Sequence, residues 1–327
     1  MKILVTGATG KVGQKFLDQL ICTEALNDAS AVALCHNRLF EETDRIKVVK
    51  GSIANKETVD VAMKGVTHVV HLATCKETPN DVMDVTVKGL FWLLEACRNK
   101  SNFQQFILIG GDAAMGHFFY PHPTPVTETQ KHSAYPGCYA LSKVLEEVML
   151  EQYQIQYSLP STCLRAPWIM EKDDFKYSLS FGDDVFGGPV WKDLVPEKHA
   201  KEYQESGIIP LMQDINGKAI KRNFIHVDDL VKAIIQAILL PDKSNGHTFN
   251  ISMDSPVDYG DVSKYLKESR GIESVPVKTE YHSTWLDNSK AKFLLDWQPN
   301  IGLKKLIDLS WDYEREVNDP RKIWYPG

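Results

Sequence analysis

Residues 1–13 read MKILVTGATGKVG, and this stretch decides the fold. Lys2–Thr6 is a short apolar run with β-branched side chains, the composition of a buried strand. Gly7, Gly10 and Gly13 follow at regular spacing, and the apolar residues of 14–20 recur at helical spacing. Strand, glycine turn and helix are the parts of a dinucleotide site. One glycine permits the tight turn, one lets backbone approach the pyrophosphate, and one lets helix pack on strand. The helix N-terminus then turns its free N–H groups and positive dipole end towards the phosphates. Glycines alone are weak evidence, because turns are glycine-rich. The flanking strand and helix make the signal specific.

The 327 residues suffice for one large α/β unit or two packed domains with a sizeable core. A net charge of -6 leaves no basic footprint for nucleic acid. Cys22, Cys35, Cys75, Cys97, Cys138 and Cys163 are scattered without a CxxC pair, which suits reduced thiols better than disulfides or zinc. No leader is expected ahead of a strand that begins at residue 2. The longest apolar run, 231–240, is too short to span a bilayer and carries Lys232 and Gln236. A soluble, cytoplasmic protein without membrane or nucleic-acid partners is expected.

Further strands read at 31–35, 46–50, 67–73, 106–109, 162–165, 223–227 and 247–252. Helices read at 58–64, 84–98, 139–152 and 230–240, with Asp228 and Asp229 as the cap of the last. Alternation at this spacing implies an α/β, Rossmann-type doubly wound parallel sheet covered on both faces. Right-handed crossovers then bring the C-terminal strand ends to one edge. Residues 171–217 break the pattern, so a smaller substrate region interleaves. We expect 1–165 with 220–250 to bind dinucleotide, and 166–219 with 251–327 to bind substrate.

Tyr139 and Lys143 stand four apart at the start of one helix, which places phenol and ammonium on one face. A phenol titrates near pH 10. A cation within ~4–6 Å lowers that value, and a positively charged nicotinamide lowers it further. Tyr139 can then exchange a proton with a substrate hydroxyl while hydride moves to or from the cofactor. A surface helix carrying Tyr and Lys by chance is the bland alternative. The preceding glycine turn and strands argue against it.

At this point the chain resembles the extended short-chain dehydrogenase/reductases, the NAD-dependent epimerase/dehydratase family. The resemblance rests on TGATGKVG (6–13), HLA (71–73), Tyr139-x-x-x-Lys143, RNFIHVDD (222–229) and the stretches 287–291 and 296–299. It implies a Rossmann domain with a small C-terminal substrate domain, and chemistry at a carbinol of a small sugar-like substrate. It also implies NAD(P) held by Thr6, Gly7, Thr9, Gly10, Lys11, Val12, Gly13, Ser52, Ile53, Leu72, Ala73, Lys143, Ala166 and Pro167. A homodimer through helices 84–98 and 139–152 is implied too. The apolar residues 91–94 suit that interface, or the core.

Several positions depart from the family pattern. Gly111 stands where a Ser or Thr normally binds the substrate oxygen, so Asp112, a water or a substrate group must supply that contact. Losing such a donor costs on the order of 10²–10³ in rate. A merely flexible Gly110–Gly111 strand end is the alternative. Thr86 replaces an asparagine that supports a water chain to the lysine. Arg222 matches one diphosphate-binding arginine, whereas the second falls near Lys278, a point charge without the bidentate fork. Trp168 replaces an asparagine. These changes leave room for a free sugar or sugar acid. The end of the second strand reads Cys35-His36-Asn37-Arg38, without a carboxylate for a ribose hydroxyl. His36 or Arg38 could meet a 2′-phosphate, so the reading leans to NADP. Arg38 as a solvated loop residue is the alternative.

His117, His122 and His132 share a loop but fit no ligand spacing, so no metal is expected. Glu146 and Glu147 read as a solvated helix face, and His226 as a brace at a strand-to-helix junction. The leading reading is an NAD(P)-dependent oxidoreductase or epimerase with Tyr139 as acid/base. The rival is a dinucleotide-binding, redox-sensing regulator without turnover, suggested by Gly111.

Overall fold

The computed structural model describes residues 1–184, 187–317 and 319. The expected substrate region therefore includes residues 185, 186, 318 and 320–327, which lie outside the described ones. The chain opens with β1 (Lys2–Thr6), α1 (Lys11–Cys22), β2 (Ser30–Cys35), β3 (Ile46–Lys50), α2 (Lys56–Ala62) and β4 (His68–His71). Then come α3 (Gly89–Arg98), β5 (Gln105–Gly111), α4 (Cys138–Tyr157), β6 (Ser161–Ala166) and β7 (Trp168–Met170). β8 (Ile209–Gln213), β9 (Lys221–Arg222), β10 (Phe224–His226), α5 (Val227–Leu239) and β11 (His247–Asn250) follow.

The main sheet has seven strands, all parallel, in the order β11-β6-β5-β4-β1-β2-β3. The order reverses direction between β1 and β4, the crevice in which α/β sheets bind ligands. Alternation along each strand explains why both faces are covered. Ile3, Val5, Ile107 and Ile109 enter one apolar core with α1 and α5. Leu4, Val69, Phe106 and Leu108 enter the other, against α3 and α4. In α1, Val12, Phe16, Leu17 and Leu20 form the buried stripe.

A third apolar cluster packs Phe175, Trp191, Phe224, Tyr259 and Leu306 beside the sheet's C-terminal edge. Small strand pairs brace it. β7 runs parallel to β10, and β8 runs parallel to Ser274–Lys278.

Three local readings are corrected. The helix expected at 84–98 begins as a π-helix, Val82–Lys88, before α3. The cap of α5 is His226, whose Nδ1 accepts from the Asp228 N–H at 3.2 Å, so Asp228 and Asp229 occupy the first turn instead. Glu146 and Glu147 are buried, not solvated. Among the described residues, no helix is long and apolar enough to cross a membrane.

Candidate active site

The glycine turn has the expected geometry. Gly7 sits at φ 65°, and a Cβ there would lie 2.9 Å from the Ala73 backbone nitrogen. A Cβ on Gly13 would lie 2.4 Å from the Gly7 carbonyl oxygen, so only glycine lets α1 seat against the turn. Gly10 caps α1 without a side chain, and its N–H donates to Gly7 O at 3.0 Å. The first N–H groups of α1 are thus left for an anion. This backbone-only cradle, at the β1/β4 crevice, fits the pyrophosphate of a dinucleotide.

Thr6 closes β1 from beneath. Its hydroxyl oxygen accepts from the Leu72 and Ala73 N–H groups, at 3.1 and 3.2 Å, and lies 2.8 Å from His71 Nδ1. Arg38 reaches back from the loop after β2 and donates to Thr9 O at 3.0 Å, which brings its guanidinium to the turn's rim. His36 is exposed on that loop. Val12 packs into the core. Ser52 and Ile53 follow β3; the Ser52 hydroxyl accepts from Ala54 N, and Ile53 is buried under Gly89. Ala166 and Pro167 end β6, both buried. The Lys11 ammonium departs from expectation, for it crosses to Ile169 O at 3.1 Å and pairs with Asp174. That side chain ties α1 to β7 and the segment after it.

Tyr139 and Lys143 stand one turn apart on α4, with Lys143 Nζ 5.7 Å from the centroid of the Tyr139 ring. The stem of Lys143 packs towards Gly111, whose Cβ would lie 3.6 Å from its Cδ. Its ammonium donates to Ile109 O at 3.4 Å and lies 2.8 Å from Glu146 Oε2. Thr86 spends its hydroxyl accepting from Cys75 N at 3.0 Å and is not among these partners.

The electrostatics correct one expectation. Burial raises the Tyr139 pKa and outweighs the lowering by the Lys143 charge; Glu146, Asp112 and Glu77 add to the rise. Lys143 itself is held above its ordinary value: burial opposes the charge, and Glu146, Tyr139 and Cys163 together outweigh it. Glu147, one residue on, belongs to a separate network. Burial would raise it, but hydrogen bonds from His132 and Arg165 hold it at about 2. The Arg165 fork is bidentate, at 3.0 and 2.7 Å.

Two residues from the loop after β4 join the site without having been read from sequence. Glu77 accepts from the Cys138 N–H at 3.1 Å and so caps the helix that carries Tyr139. Lys76 Nζ lies 4.8 Å from the Tyr139 ring centroid. Burial of that ammonium, with Lys143 and Lys11 near, draws its pKa down to about 8. No periodic pattern marks either residue, since the loop's path decides their position.

Beyond Tyr139, residues Asp112, His117, Phe118, Trp168, Arg222, Asn223 and Thr284 line a pocket. The Arg222 guanidinium is sandwiched, 3.9 Å from the Phe118 ring centroid and 4.3 Å from that of Trp168. Asp112 is buried between His117 Nδ1 at 2.7 Å and Asn223 Nδ2 at 3.1 Å. His117 and His132 are therefore paired, not solvated. Lys278 is exposed on its strand and does not line the pocket.

Residues 3–170 match the model of the NAD dependent epimerase/dehydratase family. The chain belongs to that family. It is an enzyme family, and the extended short-chain dehydrogenase/reductase fold seen here is its fold. The chain is 25% identical to UDP-glucuronate 4-epimerase 4 of Arabidopsis thaliana, over 93% of this chain and 74% of that protein. It is 24% identical to UDP-glucose 4-epimerase of Mycolicibacterium smegmatis, over 96% and 99%. Among solved structures, a short-chain dehydrogenase/reductase superfamily protein from Agrobacterium tumefaciens with bound NAD superposes at TM-score 0.77. It is 20% identical and covers 95% of this chain and 96% of its own. UDP-glucuronic acid 4-epimerase from Bacillus cereus, in complex with NAD, superposes at 0.73, again 20% identical, over 96% and 98%. Both hold NAD, so the lean to NADP finds no support in them.

Proposed function

We propose that this enzyme moves a hydride reversibly between a sugar carbinol and a bound nicotinamide dinucleotide, with Tyr139 as acid/base. The observation that carries the reading is the pairing of Tyr139 and Lys143 on α4, with Lys143 packed towards Gly111 and the Asp112 charge acting on Tyr139. A bound oxidised dinucleotide supplies the hydride acceptor and a positive ring beside the phenol. Tyr139 takes the carbinol O–H proton as the C–H bond breaks, leaving a carbonyl, and returns the proton when the carbonyl is reduced. Reduction from the opposite face inverts the centre; release of the carbonyl compound makes the enzyme a dehydrogenase. Lys143 lowers the cost of the phenolate and binds the nicotinamide ribose. Arg222, stiffened between two rings, meets an anionic group of the substrate.

The relatives named above are epimerases of UDP-sugars, which makes a sugar nucleotide the first substrate to test. Among the described residues Arg222 is the one Lys or Arg that lines the pocket, which favours a free sugar acid as the second. NAD is the proposed cofactor on the strength of the solved relatives, with Arg38 as the group that would admit NADP. Phe91, Leu141 and Val148 are exposed on α3 and α4 and form the proposed dimer face.

The test incubates purified protein with NAD or NADP and a panel of UDP-sugars and free sugar acids, following nicotinamide absorbance and separating epimeric products. Turnover by wild type that Tyr139→Phe abolishes supports the reading. Full turnover by Tyr139→Phe sinks it. Dinucleotide binding without turnover on any substrate returns the regulator reading, which Gly111 favours.

A further inference from the structure

Glu146 is a carboxylate with 0% exposure, on the face of α4 that carries Tyr139 and Lys143. Its Oε2 lies 2.8 Å from Lys143 Nζ. The Lys143 contact is an ion pair without hydrogen-bond geometry, so neither carboxylate oxygen has a hydrogen-bond partner; Oε1 faces His71 Nε2, equally unpartnered, at 4.0 Å. Hydrogen-bond accounting fixes that histidine. The Thr6 hydroxyl oxygen already accepts two backbone N–H groups, so its single proton goes to His71 Nδ1. Nε2 therefore carries the ring proton and points it at Glu146. Thr6, His71 and Glu146 stand in series between the glycine turn and Lys143, with a 4.0 Å gap and no hydrogen bond between His71 and Glu146.

We propose that Glu146 is a positioning residue for the catalytic pair: its buried carboxylate anchors the Lys143 ammonium and offsets its charge at Tyr139. The inference rests on the acid/base reading of Tyr139. A buried ion pair is a poor source of stability, because desolvation consumes the Coulomb gain. Such a carboxylate beside a catalytic ammonium is better explained by what it does to that ammonium. The neighbouring Glu147 shows the contrast, since Arg165 and His132 neutralise it and leave nothing for Lys143. Lys143 has no other acidic partner within salt-bridge distance among the described residues.

The groups facing this pair come from every surrounding element. His71 and Cys163 project from β4 and β6, and Asp112 lies just past β5. Lys76 and Glu77 come from the loop after β4. The charges of the packed π-helix, Asp84 and Lys88, are exposed and pair with each other.

The test titrates Tyr139 directly, by tyrosinate absorbance of the full chain with NAD present, as wild type minus Tyr139→Phe. The same difference is taken in a Glu146→Gln background. Removing the offsetting charge should lower the midpoint by about one pH unit, the effect of a unit charge over ~10 Å at an effective dielectric of ~20. Where Glu146→Gln does not fold, by circular dichroism and NAD binding, Glu146→Asp carries the test. It draws the carboxylate back by one methylene and should lower the midpoint by a smaller, measurable step. Coincident or raised midpoints overturn the proposal. The titration needs no substrate, so it stands apart from the turnover assay: absence of turnover would sink the acid/base reading and leave this measurement intact. In the active enzyme the pH profile of kcat/KM should move with the midpoint, and KM for NAD should change less than threefold.

Discussion

Gly111→Ser should make the enzyme faster. Gly111 lies at φ −144° and ψ 147°, ordinary extended backbone that any residue adopts. An added Cβ would meet Lys143 Cδ at 3.6 Å, Cγ at 3.7 Å and Ala113 N at 3.9 Å, all normal van der Waals distances. The site therefore has room for the Cβ that would carry the hydroxyl whose absence the sequence records. A donor lost from such a position costs on the order of 10²–10³ in kcat. Lys76, whose Nζ lies 4.8 Å from the Tyr139 ring centroid, is a donor that can recover part of that, so a gain of about 10- to 100-fold in kcat is expected, with KM little changed. Gly111→Ala supplies the volume without the hydroxyl and separates the two effects. Both variants should gain up to about 1 kcal/mol of stability by losing glycine's unfolded-state entropy. Gly110 is the internal contrast. A Cβ there would lie 2.8 Å from Cys163 Sγ and 2.9 Å from Glu147 Oε1, so Gly110→Ala should destabilise. The assay is initial-rate kinetics on whichever substrate the panel identifies. A Gly111→Ser enzyme that folds, binds NAD and runs no faster than Gly111→Ala would refute the placement of the reacting oxygen beside residue 111.

Arg165→Met leaves Glu147 buried without its bidentate partner and should cost about 3–5 kcal/mol, read by urea denaturation. Stability should also fall with acid in two windows. His68 and His71, buried and held at about 4 and about 3, refuse protons that the unfolded chain takes up below ~6.5, so stability drops as pH falls from there, by up to ~2.7 kcal/mol per pH unit. Glu147, held at about 2, adds a second loss as pH falls from ~4.5 towards 2; midpoints measured across pH 3–8 check the first window and the onset of the second. Arg38→Ala should raise the NADP dissociation constant about tenfold relative to that of NAD, measured by calorimetry; equal changes for both would remove Arg38 from the 2′ position. Phe91→Glu with Leu141→Glu should convert the proposed dimer to monomer in sedimentation velocity without lowering dinucleotide affinity.

The regular parts of this fold were legible because two periodicities announce them. β3 appears at the residues its apolar run marked, and β1 with α1 follow the glycine spacing. The glycine roles were legible too, because close backbone approach leaves glycine as the only residue that fits. Charge defeats the same logic. Glu146 and Glu147 look solvated in sequence because carboxylates usually are. The groups they face, His71, His132 and Arg165, arrive from other strands and loops, 15 or more residues away along the chain. One local clue was available: Glu146 stands three residues after Lys143 and so shares the face assigned to the catalytic pair. Lys76 and Glu77 had no such clue, since a loop without period placed them over Tyr139.

The segment 222–229 shows why motif order carried so much. Arg222 enters the pocket between Phe118 and Trp168. Asn223 donates to Asp112 Oδ2 and accepts from the Leu286 N–H, which joins the strand-five edge to the C-terminal region. His226 caps α5, and Asp228 reaches Lys15 on α1 at 2.7 Å. Asp229 is buried and accepts from the Asn300 and Ile301 N–H groups at 2.9 and 3.0 Å. Eight residues thus fasten the substrate pocket, the glycine-turn helix and the C-terminal segment to one another. Substrate preference can be altered at Phe118 and Trp168, the rings that hold Arg222, while this spine stays intact.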